Sequence, residues 1–163
     1  MSAEFALRPG EPADLAQVAE VLLASRRAAF PAMPPFARPD AEVRRWVSGW
    51  QLDAADLWVA EERDILGFAL ATPTWLDHLY VAPQHAGAGV GAALLGLVQA
   101  GRPGGFGLWV FESNLAACGF YARHGFAEVR RTDGGDNEEH EPEVEMWWPG
   151  ASRRSSTPAC RLE

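Results

Sequence analysis

A single mixed α/β domain (helices on an α+β sheet) is the fold class this sequence predicts, and three observations predict it. Short apolar runs of strand length alternate with longer stretches whose apolar residues recur at helical spacing. Two helices are announced by their borders: one by the turn Gly87-Ala88-Gly89-Val90-Gly91, the other by Asn114 before it and Gly125 after it. The 163 residues suit one ordinary domain, and a composition 48% apolar with seven tryptophans can build a sizeable core and excludes a disordered chain.

The elements follow in order. Phe5-Ala6-Leu7-Arg8 reads as a short strand halted by Pro9-Gly10. From Pro12 onward Leu15, Val18, Ala19, Leu22 and Leu23 make a helical stripe, with proline in the first turn where its missing N–H costs nothing. Phe30 to Phe36 contains three prolines and cannot be helix. A second helix is expected from about Pro39 to Trp50, with Val43, Trp46, Val47 and Trp50 on one face. Leu57–Ala60 and Ile65–Ala71, joined by Glu61-Glu62-Arg63-Asp64, form a hairpin pattern, and Trp75–Val81 is a third strand beyond Pro73. The glycine turn opens a helix through Ala92, Leu94, Leu95 and Val98 to Gly101. Phe106–Phe111 is a buried strand, Asn114–His124 a helix, and Phe126–Arg131 with Val144–Trp148 a last pair of strands. The acidic stretch between that pair reads as a solvated loop. From Gly150 onward Ser, Arg, Thr and Pro dominate, so one domain over 1–149 and a disordered tail over 150–163 are expected. The order is β-α-α-β-β-β-α-β-α-β-β.

Charge narrows the function classes. The net charge is −8, all 14 basic residues are arginine, and the chain has no lysine. Nucleic acid and anionic membrane surfaces need clustered cations and are disfavoured; a cationic partner such as an amine suits this field better. No apolar run approaches the roughly 20 residues of a membrane span, and Met1-Ser2-Ala3-Glu4 opens no secretory signal. Cys118 and Cys160 lack C-x-x-C spacing, so neither a disulfide scaffold nor a metal site is expected. These features together predict a cytoplasmic location.

The glycine turn is the first chemical signal. A strand ending at Val81, closely spaced glycines and a helix present unpaired backbone N–H groups, aided by the helix dipole, to an anion such as a phosphate. A tight turn in an Ala/Gly-rich chain is the equally weighted alternative. A P-loop requires Gly-Lys-Ser or Gly-Lys-Thr and is excluded by the absence of lysine. Gly87, Gly89 and Ala92 satisfy G-x-G-x-x-A, the dinucleotide pattern, with Glu112 as the acid. Against that pattern, Ala82 to Ala86 separate the glycines from the strand, and too few residues follow for the remaining βα units.

The stretch Leu79-Tyr80-Val81-Ala82-Pro83-Gln84-His85-Ala86-Gly87-Ala88-Gly89-Val90-Gly91-Ala92-Ala93-Leu94-Leu95 resembles the acetyl-CoA motif of the GCN5-related N-acetyltransferases, the GNAT family. That motif is (Arg/Gln)-x-x-Gly-x-(Gly/Ala) entering a helix. Asn114 to Phe126, with Ala117, Phe120-Tyr121 and Gly125-Phe126, resembles the family's second signature, and the likeness spans about residues 5 to 148. The resemblance implies the GNAT acyl-CoA N-acyltransferase fold and an enzyme that passes the acetyl group of acetyl-CoA directly to an amine of a small molecule or peptide. It implies that Ala86, Gly87, Ala88, Gly89, Val90 and Gly91 hold the coenzyme's phosphates. It also implies that Leu79 and Val81 offer main-chain groups to its thiol arm and carbonyl, and that Asn114 bonds it from the other side. Tyr121 stands where the family places the proton donor to the departing thiolate. Asp77 ranks first as general base and His78 second, Glu112 a distant third; alternation aims Asp77 to the face of Leu79 and Val81, and His78 to that of Tyr80. The sequence departs at Ala86 and Ala88, where charged or polar side chains are usual, which predicts a weakened hold on the coenzyme; Arg102 and Arg123 are candidates to compensate. Phe30, Met33, Phe36 and Trp75 are the expected acceptor lining, with the acidic loop at its border. A homodimer through the terminal strands also follows from the resemblance. A non-catalytic CoA sensor of the same fold is the alternative, weighed against by Tyr121.

Overall fold

The computed structural model describes residues 4–151, so nearly all of the tail expected from Gly150 onward lies outside the described residues. The chain runs β1 (Ala6–Pro9), α1 (Leu15–Ala29), α2 (Asp40–Ser48), β2 (Asp56–Glu61), β3 (Ile65–Thr72), β4 (Trp75–Val81), α3 (Val90–Ala100), β5 (Phe106–Phe111), α4 (Leu115–Arg123), β6 (Ala127–Thr132) and β7 (Glu143–Trp148). Single 3-10 turns at Pro12–Asp14 and Pro83–His85 lead into α1 and toward α3. The seven strands form one sheet in the order β1-β2-β3-β4-β5-β7-β6. All neighbours are antiparallel except β4 and β5. Among the described residues no helix is long and apolar enough to cross a membrane.

The element order follows the sequence reading, with shifts at the ends. Pro9 belongs to β1, which it can do on an outer strand because a missing N–H there breaks no ladder. The chain turns at Gly10, whose N–H donates to the Leu57 carbonyl at 2.7 Å. Helix α2 stops at Ser48, and Trp50 leaves it to pack 6.0 Å from Phe68.

Two cores sandwich the sheet. On one face the α1 stripe of Leu15, Val18 and Leu22 meets Val43 and Val47 of α2 over Val59 and Phe68. On the other, Leu94, Leu95 and Val98 of α3 and Tyr121 of α4 pack on Ala69, Leu108, Val110 and Met146. Because both faces of β3 are covered, Ile65–Ala71 is buried throughout, which is why it reads as a continuous apolar run.

Two irregularities in β4 shape the centre of the sheet. The parallel pairing of β4 with β5 is confined to Trp75 and Gly107, and beyond that pair the strands diverge. Gly107 makes the crossing feasible: a Cβ there would stand 2.5 Å from the Trp75 ring and 2.8 Å from that of Trp147. The second irregularity is a β-bulge. Leu70 pairs with His78 but Ala71 with Leu76, so Asp77 is the extra residue. This corrects the simple alternation: Leu76, Leu79 and Val81 join the α3 side, His78 and Tyr80 face the α1/α2 side, and Asp77 is left exposed at the kink.

Candidate active site

Between the diverging halves of β4 and β5 lies a cavity of about 610 Å³. Its backbone chemistry follows from the register. The Ala82 N–H donates to the Leu66 carbonyl, so Tyr80 with Phe68 and His78 with Leu70 are the hydrogen-bonded pairs of the β3–β4 ladder. The main-chain groups of Leu79 and Val81 therefore point the other way, onto the free edge that borders the cavity. Ser25 of α1 reaches this edge, its hydroxyl donating to the Val81 carbonyl at 2.6 Å.

At the end of β4 the chain passes the 3-10 turn and swings into α3 through Gly87 and Gly89, at φ 78° and 85°. Glycine reaches this left-handed region without strain and leaves the surface bare: a Cβ at either position would meet nothing within 4 Å. The N–H groups of Gly87, Gly89, Val90, Gly91 and Ala92 make no hydrogen bond among the described residues, and Ala86 to Gly89 are exposed. Five free donors with the positive end of an eleven-residue helix behind them form an anion-binding cradle. Together with the open strand edge, this fits a coenzyme that carries a diphosphate and an amide-bearing thiol arm.

Tyr121 of α4 sits at the cavity wall, 9% exposed, its ring packed edge-on against Phe120 and Phe126. Its hydroxyl bonds to no protein group among the described residues. Every fully enclosed side-chain polar atom of the described residues does have a partner, so this hydroxyl opens into the cavity. Burial, and then the neighbouring Tyr80, raises its pKa above the ordinary value, so it stays a proton donor at neutral pH. Asn114 caps α4, its Oδ1 accepting from the Ala117 N–H at 3.3 Å, and it lines the cavity too. Cys118 lies behind Tyr121; its thiol faces the Phe111 carbonyl at 3.8 Å and is pushed up by burial, so it is a packed group and not a ready nucleophile.

Asp77 and His78 both border the cavity. Partial burial raises the Asp77 carboxyl from its ordinary value. His78 is stacked on Trp50 at 5.0 Å and meets the edge of Trp46 at 5.3 Å. Burial, with Arg26 adding to it, lowers its pKa to about 4, so the imidazole is neutral at physiological pH. Glu112 does not line the cavity; it is exposed and pairs with Arg131.

The other expected residues divide. Met33 and Phe36 line the cavity, whereas Phe30 is 63% exposed and Trp75 stands outside the lining, packed on Trp109 at 6.2 Å. Arg102 is buried elsewhere, donating to the Thr72 and Ala71 carbonyls and to Asp56, and is therefore committed to holding β2 and β3. Arg123 stays exposed on α4 with no ion pair among the described residues. The acidic stretch is more than a solvated loop. Glu138, Glu139 and Glu143 line the cavity, with Glu138 paired to Arg38 and Glu139 to Arg26.

Arg26 is the residue the sequence reading passed over. It is buried, its guanidinium lies 4.0 Å over the Phe36 ring, and it donates to the Pro34 carbonyl at 2.9 Å and to Glu139 at 3.2 Å. The available signal was positional: at four residues beyond Leu22 and three beyond Leu23, it continues the apolar stripe of α1.

A family model, Acetyltransferase (GNAT) domain, matches residues 53–128. The peptidyl-lysine N-acetyltransferase YjaB of Salmonella typhimurium is 32% identical over 111 residues, which cover 67% of this chain and 75% of that protein. The solution structure of apo-form YjaB from Escherichia coli aligns with a TM-score of 0.73 at 25% identity, over 91% of this chain and 99% of that one. The ribosomal-protein-S18-alanine N-acetyltransferase of Escherichia coli shares the fold, with a TM-score of 0.68 at 19% identity over 94% and 98% of the two chains.

Proposed function

This chain belongs to the GNAT acetyltransferases, and we propose that it moves the acetyl group of acetyl-CoA to an amine by direct attack within the cleft between β4 and β5. It is an acetyl-CoA-dependent N-acetyltransferase. The observation that carries the placement is the row of five free amides at Gly87, Gly89, Val90, Gly91 and Ala92, opening beside an unpaired strand edge.

When bound, acetyl-CoA supplies an acetyl group activated as a thioester. The amides of Gly87, Gly89, Val90, Gly91 and Ala92 hold its diphosphate through hydrogen bonds and the α3 dipole; those of Ala86 and Ala88, expected to join them, already donate to the Pro83 and His85 carbonyls. The main-chain groups of Leu79 and Val81 receive the pantetheine arm along the β4 edge, and an N–H of that edge polarises the thioester carbonyl. Asn114 keeps its cap bond through Oδ1 and presents its amide nitrogen from the opposite wall. The Tyr121 hydroxyl donates its proton to the departing sulfur. Asp77 takes the proton that the amine sheds, through water at the bulge. Attack by the uncharged amine forms the C–N bond as the C–S bond breaks; the Tyr121 proton goes to sulfur, the amine's proton goes to Asp77, and a proton passed back through water restores the Tyr121 hydroxyl and the Asp77 carboxylate. No covalent enzyme intermediate is needed, in keeping with the packed state of Cys118.

Thermal melting with and without acetyl-CoA, followed by thiol release on adding a panel of primary amines, tests this reading. A rise in Tm with the coenzyme and amine-dependent release are expected. An unmoved Tm at saturating coenzyme overturns the placement.

A further inference from the structure

We propose that the acceptor is a small primary amine bearing a single positive charge on an aromatic or branched apolar body, held against Trp46 in a roofed pocket. The inference rests on the acetyl-transfer reading and names the substrate class of the same cleft.

The walls provide the first argument. Away from Tyr121 and the strand edge, the cavity is lined by Met33, Phe36, Val43, Trp46 and Trp109. Trp46 is 46% exposed, and its ring is set by edge contacts with Trp50 and His78 at 5.3 Å each. A large aromatic surface already fixed in place loses little side-chain freedom on binding a flat apolar group.

The charges at the cavity nearly cancel. Four carboxylates line the cavity: Asp77, Glu138, Glu139 and Glu143. Arg38 neutralises Glu138 and Arg26 neutralises Glu139. His78, depressed to about 4, adds no cation at neutral pH. Glu143 makes no ion pair among the described residues, and burial raises its carboxyl, so this half-buried acid can pair with one incoming ammonium and take the proton that must leave before the nitrogen attacks. Asp77 is assigned to the departing proton. A polycation would bring its surplus charges against Arg26 and Arg38 inside the cavity, where the two remaining carboxylates are already assigned.

The third argument is the roof. The connection between α1 and α2 is tied down at two places and the end of α1 at a third. The Arg38–Glu138 pair and the Arg26–Glu139 pair bind it and α1 to the β6–β7 loop, and the Ser113 hydroxyl donates to the Ala32 carbonyl at 2.7 Å. An extended peptide would need that groove open on both sides of its lysine, whereas a small amine needs only the pocket beneath.

Thiol release at saturating acetyl-CoA should be compared for phenethylamine, a lysine-centred pentapeptide and kanamycin. Phenethylamine is expected to lead in kcat/KM by about tenfold or more. Trp46→Ala should raise its KM by about tenfold while KM for acetyl-CoA stays within about twofold. Glu143→Gln should weaken phenethylamine more than it weakens the coenzyme. Equal or better turnover of the peptide or of kanamycin overturns the acceptor assignment and leaves acetyl transfer standing. So does a Trp46→Ala enzyme that treats all three amines as the parent does. No release with phenethylamine also overturns the assignment, and a coenzyme-dependent rise in Tm then shows that the transfer cleft itself survives.

Discussion

Removing the single oxygen of Tyr121 separates catalysis from folding. The hydroxyl has no hydrogen-bond partner among the described residues, and the contacts of the ring with Phe120 at 5.3 Å and Phe126 at 5.4 Å survive in Tyr121→Phe. The substitution should therefore change folding stability by less than about 0.5 kcal/mol. A positioned proton donor contributes about 10²- to 10⁴-fold to rate, so a loss of about 10²- to 10³-fold in kcat is expected, about 3–4 kcal/mol of transition-state stabilisation. The pH dependence carries its own sign. Burial raises the hydroxyl above its ordinary value of 10.0, so the protonated, donating form persists to high pH and contributes no falling limb below it. Steady-state thiol release from pH 6 to about 10, with acetyl-CoA affinity by calorimetry and stability by urea titration, provides the assay. Acetyl-CoA affinity should stay within about threefold of the parent. A Tyr121→Phe enzyme within about threefold of the parent in kcat refutes the role of the hydroxyl, as does a parent rate that falls below pH 9 through a limb absent from the variant.

Three further outcomes are expected. Gly89→Val forces a branched residue to φ 85° in open space, costing about 1–2 kcal/mol without a clash and turning the free amides; the Kd for acetyl-CoA should rise about tenfold by calorimetry, and an unchanged Kd removes those amides from the site. Arg26→Met strands Glu139 and the Pro34 carbonyl, with the arginine side chain 7% and the glutamate 14% exposed in the native pair. A loss of about 3 kcal/mol in urea unfolding is expected, and the Arg26→Met/Glu139→Gln double variant should recover part of it. His78 has a folded pKa of about 4 against 6.5 for the free group, so the unfolded chain binds more protons between those values. Stability contributed by keeping it neutral is complete above pH 6.5 and is lost as pH falls toward 4, by about 3 kcal/mol in all; His78→Gln should flatten this part of the Tm–pH curve, and an unchanged slope would contradict the burial.

The legible parts of the molecule were those encoded by near neighbours. Trp75–Val81 and Phe106–Phe111 fall where their apolar runs place them, and α3 begins where the glycines end. The bulge at Asp77 is a single inserted residue, which changes no composition and breaks no motif yet moves every later side chain of the strand relative to those before it, so that Leu76 joins the face of Leu79 and Val81. The acidic loop looked solvated because its partners, Arg26 and Arg38, lie 113 and 100 residues away along the chain. Arg102 looked free to compensate for Ala86 and Ala88 for the same reason; the carbonyls it bonds belong to the end of β3.

By itself the amino-acid sequence determined the elements, their order, the bare glycine entry to α3 and the tyrosine on α4, because period, capping and left-handed turns are written in residues a few positions apart. Tertiary structure alone decided that β4 and β5 part company beyond Trp75 and Gly107, that α2 brings Trp46 to the edge of His78, and that two arginines neutralise two of the four carboxylates at the cavity. Those are relations between distant segments, and their energies exist only once the sheet has brought the segments together.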